Sequence, residues 1–233
     1  MGETFNMTRK RQWLLTIAVA IAGLAALGSG SYASYSAQTT NPTNKFSTGA
    51  LVLTNTKQGG SACLSTAGGA TDTNANSACD TLFNLTVKKP GDSATVNLTV
   101  QNSGSLAATI FKVFSSACAD SNAAAETYHG TGSLCSKVQL YIQQWSNSGF
   151  STVSSCLYGG ATVTNTCDFS DTAKTLTAFS TAYTNSTTGL SIGSGLTAGT
   201  SNYFTIGVML PTSADNTVQG SAASIDLSWF VQQ

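Results

Sequence analysis

Apolar and polar residues alternate one by one in several stretches of this chain. Val96, Leu98 and Val100, for example, are separated by Asn97 and Thr99. Because successive side chains of a β-strand point to opposite faces, this period predicts strands with one buried face. Stretches with this signal lie at residues 83–88, 95–101, 138–142, 204–210 and 223–231.

A further stretch, residues 107–114, is apolar on both faces for most of its length and is expected at the centre of a sheet. Turn residues separate the stretches, as at Pro90-Gly91 and at residues 102–105. Beyond the N-terminal region no segment has a convincing helical stripe, although Asn122–Tyr128 would allow a short turn. The pattern predicts an all-β fold: an antiparallel, jelly-roll-like β-sandwich with disulfide-stapled loops.

The N-terminus has the features of a secretory signal. Arg9-Lys10-Arg11 precedes a mainly apolar run, Trp13 to Leu27, and small residues occupy positions 31 and 33. We predict a signal peptide at residues 1–33, cut between Ala33 and Ser34, and a single β-sandwich domain at residues 34–233. The alternative is a membrane anchor, but the run is shorter than the roughly 20 apolar residues that span a bilayer. The product is expected outside the cell, free of the membrane after cleavage.

All six cysteines lie after the predicted cleavage site, at Cys63, Cys79, Cys118, Cys135, Cys156 and Cys167. An even number of cysteines in an exported chain indicates disulfides. Their order suggests three local pairs, Cys63–Cys79, Cys118–Cys135 and Cys156–Cys167, while other connectivities stay open. A zinc site would need close pairs such as C-x-x-C, and the chain has none.

Charged residues make up only 9% of the chain. After residue 33 there are seven lysines, no arginine and nine acidic residues, so the net charge is about −2. Without a basic patch, nucleic acid is not an expected partner. A surface with so little charge resists association poorly, which fits a protein that assembles.

Catalytic residues are scarce. His129 is the only histidine, and neither H-E-x-x-H nor G-x-S-x-G occurs. Zinc hydrolysis needs three protein ligands, and a Ser-His-Asp triad would depend on the same histidine, which we expect in a solvated loop. Asp168 and Asp171 carry the oxygen ligands that Ca²⁺ prefers but belong to no calcium-loop motif. We therefore expect neither an enzyme nor a cofactor.

Several short motifs, taken in order, resemble the TasA/camelysin family of secreted biofilm-matrix fibre proteins. The first group is the Gly-rich end of the signal, Phe46-Ser47-Thr48-Gly49 and Leu51-Val52-Leu53. The second is Lys89-Pro90-Gly91-Asp92 and residues 101–107. The third is Leu210-Pro211, Asp215-Asn216, Gln219-Gly220 and the final Gln232-Gln233. The likeness covers residues 10–110 and 200–233, whereas the cysteine-containing middle departs from the best-known members.

The resemblance implies a jelly-roll subunit with a SipW-type signal peptide, exported through a dedicated signal peptidase. It further implies polymerisation by donation of the N-terminal strand to the next subunit. Residues 34–45 would be the donor arm, with Tyr35 as the apolar anchor, and pairing would end before Pro42, which has no N–H. The donor strand itself would comprise Ser34, Tyr35, Ser36, Ala37, Gln38, Thr39 and Thr40.

The leading hypothesis is thus a structural subunit of extracellular matrix or cell-surface fibres. Its partners would be copies of itself, bound through the N-terminal strand, with accessory matrix proteins as further candidates. The first alternative is a monomeric surface adhesin or glycan-binding domain, suggested by the stapled loops. The second is a secreted peptidase, an activity that the camelysin name carries. For the arm itself, the alternative is a leader without function.

Overall fold

The computed structural model of the protein describes residues 9, 11, 13–21, 45, 47–67, 74–85, 88–193 and 195–233. The chain divides into two compact units, Met1–Ser47 and Thr48–Gln233. In the first unit, residues 13–21 are helical, and no helix of the described residues is both long and apolar enough to cross a bilayer. The predicted cleavage site, Ala33 and Ser34, and the predicted donor residues 34–40 lie outside the described residues and stay predictions.

The larger sheet of the second unit has six antiparallel strands in the order β2-β1-β3-β11-β6-β7. Its strands are β1 (Leu53–Lys57), β2 (Ala62–Leu64), β3 (Ser93–Asn102), β6 (Gln139–Trp145), β7 (Val153–Tyr158) and β11 (Ser201–Met209). The long strand β11 pairs along its length with β3 on one side and β6 on the other. This pairing places Leu98, Phe204 and Ile142 on one buried face.

A second, three-stranded sheet in the order β10-β4-β13 packs against that face. Its strands are β4 (Ile110–Ser115), β10 (Leu190–Ser191) and β13 (Leu227–Gln232). Two antiparallel ribbons complete the sheets: β5 (Ala119–Asn122) with β12 (Ser221–Ser224), and β8 (Gly160–Val163) with β9 (Thr166–Asp168).

Aromatic side chains join the two sheets. The rings of Phe111 on β4 and Phe204 on β11 lie 6.1 Å apart, and Trp229 on β13 lies 4.6 Å from Phe204. Phe111 and Phe204 are fully buried, so the contact forms the centre of the core. The two facing antiparallel sheets confirm the predicted all-β class.

Most predicted strands occur. The structure differs from the prediction in two of the strands and in one additional helix. Residues 83–85 form no strand, although Phe83 packs against the core; residues 86 and 87 of that stretch lie outside the described part. The predicted final strand is divided into β12 and β13 by Ile225 and Asp226. A short helix, Leu176–Ala182, was not predicted; Thr175 caps it by accepting from the Ala178 N–H, and it buries Leu176 and Phe179.

Three disulfides join Cys63 to Cys79, Cys118 to Cys135 and Cys156 to Cys167, the pairs that chain order suggests. They close loops whose ends are 16, 17 and 11 residues apart. In the chain-entropy account, closing a loop of this size stabilises by roughly 3 kcal/mol. Disulfides of this kind indicate an oxidising environment such as the outside of a cell.

A buried asparagine holds together the turn that follows β3. Asn102 is 0% exposed, and its Nδ2 donates to the carbonyl oxygens of Leu106 and Leu196 at 2.7 and 3.0 Å. Its Oδ1 accepts from the Gly104 N–H at 3.1 Å. One side chain therefore bonds to two backbone groups of the turn and to the distant Leu196 carbonyl, which also accepts from the Ala108 N–H.

We expect Asn102→Leu to lower the free energy of unfolding by about 3 kcal/mol, because it leaves the Gly104 N–H and the Leu106 carbonyl without these partners and removes one of the two hydrogen bonds to the Leu196 carbonyl. Urea unfolding followed by circular dichroism would measure the loss. Gln101→Leu is the control, since that side chain makes only a 3.4 Å contact with the Gly199 carbonyl at the surface. Equal stability of the two variants would contradict the role given to Asn102.

Candidate strand-binding edge

Strands β12 and β13 follow one another in the chain and pair with β5 and β4, respectively. β13 pairs with β4 from Leu227↔Ser115 to Gln232↔Ile110, and β12 pairs with β5 from Ser221↔Asn122 to Ser224↔Ala119. No further strand pairs with the other side of β12 or β13 among the described residues. That side, from residue 221 to residue 231, is called the open edge below.

The hydrogen bonds of β4 show which backbone groups face the open edge. The Ser115 N–H donates to the Tyr183 carbonyl, and the Phe111 carbonyl accepts from the Ile192 N–H, so these β4 groups point away from β13. The Ser116 N–H, by contrast, donates to the Asp226 carbonyl on the other side. Hydrogen bonding alternates along an antiparallel strand. The backbone groups of the even-numbered residues of β13 therefore bond to β4, and the backbone groups of Leu227, Trp229 and Val231 face the open edge.

The same alternation holds in β12. The Ala123 N–H donates to the Gly220 carbonyl, which places the Ala222 backbone toward β5 and the Ser221 and Ala223 backbone away from it. The outward residues of the whole edge are Ser221, Ala223, Ile225, Leu227, Trp229 and Val231. Within the described part of the chain, the backbone groups of these six residues have no hydrogen-bond partner.

The side chains of five of these six outward residues pack against the core. Ala223, Ile225, Leu227, Trp229 and Val231 are partly buried and pack against the fully buried cluster. The open edge therefore combines unpaired backbone groups with apolar side chains that solvent still reaches. An added strand would form hydrogen bonds with the unpaired backbone groups and cover the apolar side chains.

Trp229 adds an unsatisfied polar atom to this edge. Its Nε1 is buried and has no hydrogen-bond partner, although its ring packs at 4.6 Å from Phe204 and 5.9 Å from Phe111. The only other buried side-chain atom of this kind among the described residues is the Ser115 Oγ on β4. Buried N–H groups without partners are rare in folded proteins and call for an explanation.

The remaining sheet edges are short or protected. β2 has three residues, and on its outer side the Asn76 Nδ2 donates to the Leu64 carbonyl. β7 pairs with β6 through two register shifts, and such bulges discourage strand addition. β10 has two residues. The outer sides of β5, β8 and β9 have at most four residues. The open edge, which includes both β12 and β13, is thus the longest unpaired edge of the described strands.

The single histidine makes a structural contact. His129 is partly buried, and its Nδ1 lies 2.8 Å from the Gly220 carbonyl, next to β12. We expected a solvated loop residue; the structure places it in the loop 118–135, partly buried against the turn that precedes β12.

Asp168 and Asp171 use their oxygens within the protein. Hydrogen bonds from Ser170 and Thr162 hold the pKa of Asp168 well below its usual range. Asp171 accepts from the Ala173 N–H at 3.0 Å and lies 4.0 Å from the Lys174 Nζ. In the described ranges, no group of three or more His, Cys, Asp or Glu side chains is placed to hold a metal ion.

Sequence reasoning predicted a donor arm, which stays a prediction, but not an edge that could receive it. The alternation at residues 223–231 predicted a strand, yet nothing in that pattern says which neighbours the strand will have. A near-terminal strand with apolar residues at every second position was the available signal. No model of a known protein family matches the chain, and no curated protein sequence matches it.

Proposed function

We propose that the protein is a secreted structural subunit that polymerises into fibres of an extracellular matrix or cell surface, as in the TasA/camelysin family that its motifs resemble. The N-terminal arm of one copy, residues 34–45, adds as a strand to the open edge of the next. The observation that carries the proposal is the open edge, with its unpaired backbone and half-covered core side chains. In this reading the sandwich is a jelly roll that the incoming strand completes.

The lengths of the arm and the edge agree. Residues 34–41, which precede Pro42, would span about 26 Å as a strand at roughly 3.3 Å per residue. β13 has six residues, so it spans about 20 Å on the same scale. The arm is long enough to pair with all of β13 and to reach toward β12.

The chemistry of the two segments agrees as well. The side chains of residues 34–44 carry no charge, and none of the outward residues of the open edge is charged. No charged side chain would have to leave water when the strands pair, and the one ionic group of the arm, the α-ammonium of Ser34, stands at the end of the strand. Main-chain hydrogen bonds then supply affinity, and Tyr35 supplies an apolar side chain for the uncovered core.

Comparing the chain that begins at Ser34 with a variant that lacks residues 34–45 tests this function. We expect negative-stain electron microscopy to show regular filaments of the first at rising concentration, and only monomers of the second. Circular dichroism and thermal unfolding should be alike for the two, because the deleted segment precedes the compact unit Thr48–Gln233.

Filaments from the deletion variant would refute strand donation by the arm. Monodisperse particles from both proteins at all concentrations would refute self-assembly altogether. In that case glycan-array binding would be the next measurement, because it addresses the adhesin alternative.

A further inference from the structure

Three aromatic side chains lie close together on the outer face of the six-stranded sheet, the face opposite the core. Trp145, the last residue of β6, pairs with Tyr203 of β11, and both face outward because the next residue of β11, Phe204, faces the core. The Phe150 ring lies 6.0 Å from the Tyr203 ring, edge to face. Trp145, Phe150 and Tyr203 are all partly exposed and are called the aromatic patch below.

Phe150 has a backbone conformation that bulky residues rarely adopt. Its φ is +51°, in the left-handed region that favours glycine. Asn147 fixes this hairpin loop: its carbonyl accepts from the Phe150 N–H, and its Oδ1 accepts from the Ser151 and Thr152 N–H groups, both at 3.1 Å. Glycine would fit the loop with less strain, so the position keeps an aromatic ring at a conformational cost. Residues strained in this way cluster at binding sites.

Hydrogen bonds hold the indole of Trp145 in one orientation. Its Nε1 donates to the Thr205 Oγ1 at 2.8 Å, and the Thr205 hydroxyl donates to the Asn97 Oδ1 at 2.6 Å. The Asn97 Nδ2 in turn donates to the Gln58 Oε1 at 2.9 Å. The polar atom of the indole is satisfied within the protein, so the ring offers carbon surface to a ligand. A ring fixed before binding loses little entropy when a ligand arrives.

Hydroxyl groups continue the patch across the sheet. Tyr203 pairs with Thr99 of β3, and Thr99 pairs with Thr56 of β1. The row from Trp145 to Thr56 therefore crosses four strands, or about 14 Å. In the part of the chain that the structure describes, the side-chain hydroxyls of Tyr203, Thr99 and Thr56 bond to no protein group. Because a hydroxyl both donates and accepts, the row matches a ligand that is itself rich in hydroxyls.

The charge of this face selects among such ligands. The outward positions of β1, β3, β6 and β11, read from the strand pairing, carry no Asp, Glu, Lys or Arg side chain. A charged polymer would find no opposite charge there, whereas a neutral polymer needs none. We propose that the aromatic patch and the row of hydroxyls bind a neutral polysaccharide. The C–H faces of its sugar rings lie on the aromatic rings, and its hydroxyls bond to the row.

This inference does not rest on the proposed function, because the site lies on a sheet face and not on the open edge. It would add to that function in one respect. In a fibre the site would recur on every subunit, so many weak contacts would hold one polysaccharide chain.

Affinity electrophoresis tests the site on the chain that begins at Ser34, kept below any concentration that gives filaments. The native gels contain hydroxyethylcellulose or galactomannan as neutral polymers, or polygalacturonate as a charged comparison. We expect the neutral polymers alone to retard the parent chain. Phe150→Gly and Tyr203→Ala should each weaken the affinity about 5- to 10-fold. Tyr128→Ala is the matched control and should bind like the parent, because this side chain is 58% exposed and belongs to the loop 118–135.

Thermal unfolding separates binding from packing. Phe150→Gly replaces a strained residue by the one that the loop conformation favours, so its melting temperature should equal or exceed that of the parent while binding weakens. A lower melting temperature with undiminished retardation would make Phe150 a packing residue and would overturn its role in the site.

The remaining outcomes are equally distinct. If neither neutral polymer retards the parent, the inference is wrong, and strand donation is unaffected because the gels need no filaments. Equal retardation by polygalacturonate would overturn the choice of a neutral ligand. Retardation that Phe150→Gly and Tyr203→Ala leave unchanged would overturn the assignment to this face. Aromatic grooves also bind proline-rich peptides, so binding of poly-L-proline in place of the polysaccharides would overturn the class of ligand.

Discussion

We expect Ala223→Pro to fold normally and to lose assembly. The Ala223 N–H faces the open edge and has no partner in the part of the chain that the structure describes, so proline removes no hydrogen bond there. The pyrrolidine ring occupies the place of that N–H and blocks an incoming strand. Loss of one main-chain hydrogen bond plus this obstruction should raise the concentration needed for filaments at least about tenfold. Turbidity and electron microscopy would measure the lowest concentration at which filaments form.

The neighbouring substitution is the matched control. The Ala222 backbone bonds to Ser121 of β5, so Ala222→Pro breaks a ladder bond inside the monomer. This variant should lose about 2 to 3 kcal/mol of stability. If Ala223→Pro proved as unstable as Ala222→Pro, the assignment of outward residues would be wrong. If Ala223→Pro assembled like the parent, β12 would not be part of the contact.

The second large effect is expected at Gly220, in the turn that leads into β12. Gly220 has φ +65°, and a Cβ there would lie 1.8 Å from the Tyr128 carbonyl oxygen. The Gly220 carbonyl accepts from Ala123 and contacts His129, so the loop 118–135 and the turn are in close backbone contact. We expect Gly220→Ala to cost about 3 kcal/mol or more, since strain and a backbone clash add.

Gly199→Ala separates these two contributions. Gly199 has φ +75°, and nothing lies within 4 Å of the place where its Cβ would be. Only the conformational cost of about 1 kcal/mol applies there. For a unit of this size the difference of about 2 kcal/mol corresponds to roughly 4–8 °C in Tm, measurable by calorimetry. Equal melting temperatures of the two variants would show that the loop 118–135 moves to accommodate the Cβ at position 220 without a loss of stability.

The strands were largely predictable from sequence because their signal is local. The alternation of Val96, Leu98 and Val100 gives the period of β3 directly, and cysteine order gave the disulfides that the structure contains. The identity of the strand that pairs with a given strand has no such local signal in the sequence. Whether residues 223–231 have a neighbour on one side or both is decided by where the other strands end.

The short helix was missed for a related reason. Leu176–Ala182 is only seven residues long, too short for a helical period to emerge from the Thr- and Ala-containing sequence around it. Its stability comes from tertiary packing: Phe179 lies 4.9 Å from both Tyr158 and Tyr183. The alternation at residues 223–231 placed Trp229 on a strand, but its unpaired N–H became visible only once Phe111 and Phe204 were placed around it.

The interruption between β12 and β13 has a consequence for any fibre that this chain builds. Three residues, 116–118, lie opposite only Ile225 and Asp226, so the inner strand carries one extra residue while the outward residues of the edge keep their alternation. A bulge bends the strand pair and increases its twist, so an added strand that slid by two residues would no longer follow the shape of the edge. Every junction would therefore lock at the same offset, and the subunits would repeat at a single axial spacing. Diffraction from aligned filaments would record that spacing as one sharp meridional reflection.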